Sequence, residues 1–389
     1  MTDIYDLYEE PIIDERTEKY QIAIDQTGFC TLPSKSFIVV EGRLLKSDGI
    51  AYSAADLITL TNNGIMHLFD RITHQLSGNE VESVAQPGRA TTMLRLLNYP
   101  NTIQTSKGLS ELWFKDTIQN PTTAGKFSIR IPLKHIFGFC DDYNKVIYGL
   151  TQTFVLYRSS DNNAIFRANT AAAGKVDVQK ITYYIPHVEP SFAQMDILLK
   201  GIVSRQNIKA AFRDRRFNSI AVPQTTSFSW DLGARPSSEV PRYVIVRFQT
   251  NKDGDQTTNP SIFDHCDLKN MQVEVSSSYY PEVLYDFSIP NNEFSLAYGE
   301  ASEFSEKYYG MNDLITSCNI LPNEYRDLYP LMVFDISKQR GSLNDSTIRI
   351  KVNASFNTAP PANTVAYALI KLDKILRFKS EVNFLIIKF

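Results

Sequence analysis

Short runs in which apolar and polar residues alternate, broken every few residues by turn formers, recur along this chain and constrain its fold more than any other feature. Phe127, Ile129 and Ile131 alternate with Ser128 and Arg130, which gives a strand with one face on a core and one toward water. The same period of two returns in Val176-Asp177-Val178-Gln179, Val273-Glu274-Val275 and Ile348-Arg349-Ile350-Lys351-Val352. Continuous apolar runs at Ser36 to Leu45, Tyr243 to Phe248 and Val365 to Leu372 suit strands covered on both faces, in the middle of sheets.

Turn signals are frequent, among them Ser47-Asp48-Gly49, Asn62-Asn63-Gly64, Ser77-Gly78-Asn79, Lys252-Asp253-Gly254-Asp255 and Pro290-Asn291-Asn292. Helical periodicity is scarce: Thr91 to Leu97 and Leu133 to Phe139 suggest short helices, and Phe192 to Gln206 is ambiguous. Many short strands with accessory helices predict an all-β protein built of sandwiches.

The chain of 389 residues exceeds one ordinary sandwich core, so two domains are expected. Two stretches poor in strand pattern, Val84 to Gly125 and Asn291 to Arg326, lie at comparable depths in the two halves, as loops of a duplicated fold would. The first 25 residues carry a strong acidic excess and precede the first convincing strand. They read as a flexible arm that orders only on contact with a neighbour. The expected division is an arm over 1–28, a first domain over 29–205 and a second over 206–389, the boundary resting on the polar stretch Ser204-Arg205-Gln206-Asn207.

A net charge of −3 supplies no basic field for counterion-release binding, which argues against a dedicated nucleic-acid binder. The acidic start has no apolar core of a secretory signal, so synthesis in the cytosol is expected. The charge-free stretch Asn353 to Ile370 is interrupted by Asn, Ser, Thr and Pro and does not suit a membrane span. Cys30, Cys140, Cys266 and Cys318 are far apart with no C-x-x-C pair, the pattern of reduced, buried thiols rather than of zinc ligands or a disulfide scaffold.

Phosphate-loop, dinucleotide, nucleophile-elbow and zinc-protease signatures do not occur. His135 near Cys140, Asp141 and Asp142 offers the parts of an activated thiol, yet core packing of Phe137, Phe139 and Cys140 before an Asp-Asp turn is the better reading. Asp264-His265-Cys266-Asp267 carries four metal-capable side chains, but neighbours on a strand face opposite ways. His67 and His74, seven apart, separate on a strand. Asn251, Asp253 and Asp255 open like a calcium loop, then fail where the turn glycine and closing glutamate should stand, at Gln256 and Ile262. No catalytic residue, cofactor site or metal site is therefore expected. A basic cluster remains. If helical, Arg205, Lys209, Arg213 and Arg216 share one face, which leaves three readings: a solvated face, a contact with a neighbouring subunit, or nucleic acid.

Patches in both halves carry a resemblance. Leu60-Thr61-Asn62-Asn63, Leu68-Phe69 and Leu76 to Glu82 begin the series, and Ile131-Pro132-Leu133, Gly138 to Tyr143, Pro186-His187-Val188, Phe212-Arg213, Ser229-Trp230 and Pro241-Arg242-Tyr243 continue it. Phe248-Gln249-Thr250, Phe263 to Cys266, Tyr279-Tyr280-Pro281 and Phe334 to Gln339 complete it. Together they resemble the double jelly-roll major capsid proteins of Polinton (Maverick) elements and adintoviruses. The resemblance implies two tandem eight-stranded jelly rolls, three chains forming a pseudo-hexagonal capsomer, and an icosahedral shell. It implies a homotrimer that meets neighbouring capsomers and a penton or minor capsid protein, with no cofactor and no sequence-specific nucleic-acid binding. The virion is the expected location, assembly in the nucleus being open. Arg205, Lys209, Arg213 and Arg216 are then candidates for a subunit interface. The alternatives are a glycan- or protein-binding β-sandwich module that builds no shell, and a metal enzyme of the cupin kind, for which the chain lacks the closely spaced H-x-H pair.

Overall fold

The computed structural model describes residues 2–9, 12–14, 19–25, 28–114, 125–204, 208–236, 238–310, 318, 320–338, 347–381 and 384–388. Sixteen strands carry its two sandwiches. In the first they are β1 (Thr2–Glu9), β2 (Lys19–Ile24), β3 (Phe37–Lys46), β4 (Phe69–Leu76), β5 (Asn79–Ala85), β6 (Lys126–Pro132), β7 (Gln152–Arg158) and β8 (Gly174–Glu189). The second has β9 (Ile208–Ala221), β10 (Ser227–Arg235), β11 (Val240–Thr250), β12 (Leu268–Val275), β13 (Ser278–Tyr280), β14 (Met332–Asp335), β15 (Ile348–Phe356) and β16 (Thr364–Glu381).

Strand order is the same in both halves. The first sandwich packs β1-β8-β3-β6 against β2-β7-β4-β5, and the second packs β9-β16-β11-β14 against β10-β15-β12-β13, with short extra strands at some edges. All these pairings are antiparallel.

The alternating segments became strands because each can bury one face. In β3, Ile38 and Val40 face the core while their neighbours are half-buried. The continuous apolar run of β11 lies between β16 and β14, with Val244 opposite Ile370 on one side and Phe334 on the other. Val244, Ile245 and Val246 are all buried, so both faces of this strand are covered.

The expected N-terminal arm is corrected. β1 lies along the edge of β8, Thr2 opposite Glu189 and Glu9 opposite Tyr183, and β2 pairs with β7, Ile22 opposite Phe154. Ile22 and Ile24 are buried on alternate positions of β2. These segments hold the first two places in a strand order that the second sandwich repeats, so sheet structure begins at Thr2 and not after 28. The acidic excess concealed it, because an edge strand tolerates charge that a central strand does not.

Both strand-poor stretches join the fifth strand of a sandwich to the sixth, and both carry helices. The first holds α1 (Pro87–Asn98), whose Pro87 opens the first turn where its missing N–H costs nothing. After β6 a 3₁₀ turn at Leu133–His135 precedes α2 (Gly138–Asp142), so the expected single helix from Leu133 is divided. The ambiguous segment after β8 is α3 (Phe192–Val203), started by a reciprocal cap in which Ser191 and Gln194 bond each other's backbone N–H. In the second half the equivalent connection holds α4 (Phe304–Tyr309) between helices at Ser295–Ser302 and Pro322–Asp327.

Candidate functional site

The two sandwiches meet along a seam where opposite charges from the two halves are buried together. From the first, α2 presents Asp141 and Asp142 and β5 presents Glu82; from the second, β9 presents Arg213, Asp214 and Arg215 and β16 presents Lys371 and Lys374. The Asp142 carboxylate accepts from the Arg213 backbone N–H at 2.7 Å and from its Nε at 3.0 Å, and is also bonded by Nη2. The Arg213 guanidinium stacks 3.8 Å from the Tyr308 ring centroid and donates to the Tyr308 carbonyl at 2.6 Å. Arg215 donates at 2.9 Å to the carbonyl of Lys134 and at 3.2 Å to Asp141, which also accepts from Tyr309 at 2.9 Å. Lys374 reaches across to the Val81 carbonyl at 2.9 Å.

Behind this layer Glu82 accepts from the backbone N–H groups of Gly138 and Phe139, at 2.9 and 3.0 Å, and so anchors the start of α2. Burial, with Asp214 close by, pushes its carboxyl up to about 7 against the pull of Arg215 and the two N–H groups. Burial and Arg215 together pull Lys371 down to about 7, against Asp141, Asp142 and Glu82. Among the described residues Lys371 Nζ has no hydrogen-bond partner, and it sits 4.9 Å from the Tyr308 ring centroid.

The seam continues at both ends. Helices α1 and α4 touch, Ser305 donating to the Leu97 carbonyl at 2.8 Å. Farther along, Arg89 pairs with Asp253 at 2.5 Å, Gln256 bonds both the N–H and the carbonyl of Gly174 at 2.8 Å, and Ser261 donates to the Asn62 carbonyl at 3.1 Å. Beside the Arg89–Asp253 pair a polar cavity of about 360 Å³ opens between the halves. Two eight-stranded sandwiches of identical strand order are thus held side by side as one block. The double jelly roll-like domain description matches residues 58–376, more than half of the chain.

The chain belongs to the double jelly roll-like domain family.

Solved double jelly rolls share its fold from end to end. It is similar to VP54 of PBCV-1, as fitted into a cryo-EM reconstruction of the virophage Sputnik, with a TM-score of 0.62 at 9% identity over 100% of this chain and 98% of that one. A chain from the 3.5 Å cryo-EM structure of the Sputnik virophage gives 0.62 at 10% identity, covering 98% and 88%. The mavirus major capsid protein gives 0.53 at 12% identity, covering 98% and 89%. No curated protein matches the chain.

Within this double jelly roll, side chains that looked chemically suggestive in sequence are engaged one by one. His135 bonds Tyr99 and lies 3.4 Å from Glu111, while burial pushes the Cys140 thiol well above its ordinary value. Asp264 accepts from Thr250 N–H at 2.8 Å and from Lys252 at 2.6 Å, His265 Nδ1 accepts from Asp267 N–H, and burial pushes the Cys266 thiol up to about 11. Asp253 serves Arg89, and Asp255 accepts from Thr257. His67 and His74 are buried and pushed down to about 3 by desolvation, hence neutral; His74 stacks on Phe154 at 4.5 Å. Among the described residues no group of three or more His, Cys, Asp or Glu side chains is placed to hold a metal ion, and no helix is long and apolar enough to cross a membrane.

The basic cluster is corrected too. Lys209, Arg213 and Arg216 lie on strand β9, not on a helix, so Arg213 and Arg216 face opposite ways. Arg213 is held by Asp142, and Arg216 by Asp214 at 3.0 Å and Glu239 at 3.5 Å. Arg205 lies outside the described residues. The seam itself escaped the sequence reading, although Asp141-Asp142 and Arg213 both stood in patches of the family resemblance.

Breaking the seam at one pair tests it. Asp142→Ala strands a mostly buried guanidinium, and the expected loss is about 2–3 kcal/mol, below the range for a fully buried pair because Arg213 is partly solvated. Burial raises the Asp142 carboxyl, but the Arg213 hydrogen bonds and charge outweigh it and hold it below its ordinary value. The pair therefore stabilises above the ordinary aspartate range, about pH 4, and is lost as pH falls through the lowered value. Urea unfolding across pH 2–7 should show this acid-side loss in the natural chain and its absence in Asp142→Ala.

Proposed function

We propose that this double jelly roll is a major capsid protein whose copies form trimers and tile a closed icosahedral shell. The observation that carries this reading is the exact repetition of one strand order in two sandwiches joined by a buried, ion-paired seam. A rigid block of two like units lets three chains present six similar sides, which is what hexagonal tiling requires. The end-to-end likeness in fold to the mavirus major capsid protein supports it, and so does the absence of a convergent catalytic cluster among the described residues. The sequence patches favour the Polinton and adintovirus branch. Further copies of the chain, with a penton or minor capsid protein, are the partners this implies. Of the four basic candidates, Lys209 is exposed and open to a neighbouring copy.

Light scattering of purified protein at micromolar concentration should give three times the chain mass, with contacts upward of roughly 2,000 Å² per interface. Negative-stain images should show pseudo-hexagonal particles. A stable monomer that binds glycans would replace this reading with that of a sandwich binding module.

A further inference from the structure

We propose that α3 docks antiparallel on α3 of a second copy of this chain and so ties one capsomer to the next; this rests on the capsid reading. The helix bridges the two sandwiches beside the start of β1 and the end of β8, where the chain passes from one half to the other. Its inner side is placed: Leu198 and Ile202 line a small apolar gap with Tyr143, Ile147, Ile208 and Phe378, drawn from both halves. That contact sets the rotation of the helix, and the Ser191–Gln194 cap starts it without help from a partner.

Its flank is left uncovered. Phe192 is 93% exposed, Val203 81% and Leu199 41%, and spacings of seven and four put these three on one stripe. Ile197, also exposed, lies off this stripe. An apolar stripe of this kind in water marks a contact.

Charge decides what covers it. The helix carries one acid and one base, Asp196 and Lys200, bonded to each other at 2.6 Å. Two copies related by a two-fold axis near Ile197 and Leu198 bring Phe192 of each opposite Val203 of the other and Asp196 opposite Lys200. The face is thus self-complementary in both shape and charge, as an isologous contact must be. Parallel pairing would instead set Asp196 beside Asp196 and Lys200 beside Lys200. A lipid surface fits less well, since helices that lie on membranes carry several cations on their polar side, and this helix carries a single lysine.

The geometry is read by cross-linking the full chain. Phe192→Cys and Val203→Cys proteins are made separately, mixed, and oxidised with diamide, which takes up the two thiol hydrogens as each disulfide forms. The mixture should give covalent dimers in at least about ten-fold excess over either protein alone; Cys30, Cys140 and Cys318 are buried, and the partly exposed Cys266 is replaced by serine in every protein, so the background without the two introduced thiols should stay unlinked. Asp196→Lys should abolish the product, and Asp196→Lys with Lys200→Asp should restore it. Dimers from Phe192→Cys alone would overturn the antiparallel pairing. Trimers and shells without the mixed disulfide would overturn the α3 contact and leave the capsid reading standing. Helix-dependent binding to phosphatidylserine vesicles without dimers would assign the stripe to lipid and overturn the proposal. Absence of any oligomer would overturn both readings.

Discussion

Phe248→Asp yields no folded second sandwich. Phe248 is 2% exposed, packs edge-on to Phe356 with ring centroids 5.4 Å apart, and stands opposite Ala366 on the adjacent strand. Removing the ring costs about 3–5 kcal/mol, and an unpaired carboxylate in its place adds several more. The sum reaches the whole stability of an ordinary domain, roughly 5–15 kcal/mol. Arg247 next door cannot rescue it, because adjacent strand residues face opposite sides, and its guanidinium already lies between Phe263 at 4.0 Å and Tyr367 at 4.6 Å. Soluble yield and near-ultraviolet circular dichroism check the outcome, with Phe248→Leu as a variant that folds. Soluble Phe248→Asp protein that still assembles would show the inward facing of β11 to be wrong.

Gly138→Ala forces the seam apart. A Cβ at this position would stand 1.8 Å from the Arg213 carbonyl oxygen and 2.8 Å from its carbon, both backbone atoms of β9. No flexible side chain is there to yield, and α2 cannot retreat without giving up the two bonds from Gly138 and Phe139 to Glu82. The expected loss is about 3 kcal/mol or more, at or beyond the upper end for overpacking. Gly299→Ala is the matched control, since a Cβ there meets nothing within 4 Å in a helix, and alanine's higher helix propensity favours it by up to about 1 kcal/mol. Urea unfolding compares the two, and hydrogen exchange at Arg213 to Arg215 locates the damage. Equal stability of the two variants would mean that α2 and β9 are not in contact.

The strands were legible because their signal is local. Alternation in Lys126–Pro132 and Ile348–Phe356 and the apolar run of Val240–Thr250 each report which faces are covered, and that needs only neighbouring residues. Membership of the double jelly-roll family was legible from ordered patches in both halves. β1 was not, since its partner β8 lies nearly the length of a sandwich away and its acids imitate a solvated tail. The basic cluster failed for a related reason. Arg205, Lys209, Arg213 and Arg216 suit a helix stripe by spacing, yet pairing with the long strand β16 drew Ile208–Ala221 into a sheet.

By itself, then, the sequence determined an all-β chain of two like halves, because the period of two and the recurrence of turns are properties of contiguous residues. The tertiary structure alone decided which charges are spent inside the molecule. Asp141 and Asp142 stand some 70 residues from Arg213 and Arg215, and only the approach of two sandwiches, permitted by the missing side chain of Gly138, removes water between them and turns separate polar residues into one seam. It likewise decided which apolar residues stay outside, since Leu198 and Phe192 of α3 differ only in which way the packed helix turns them.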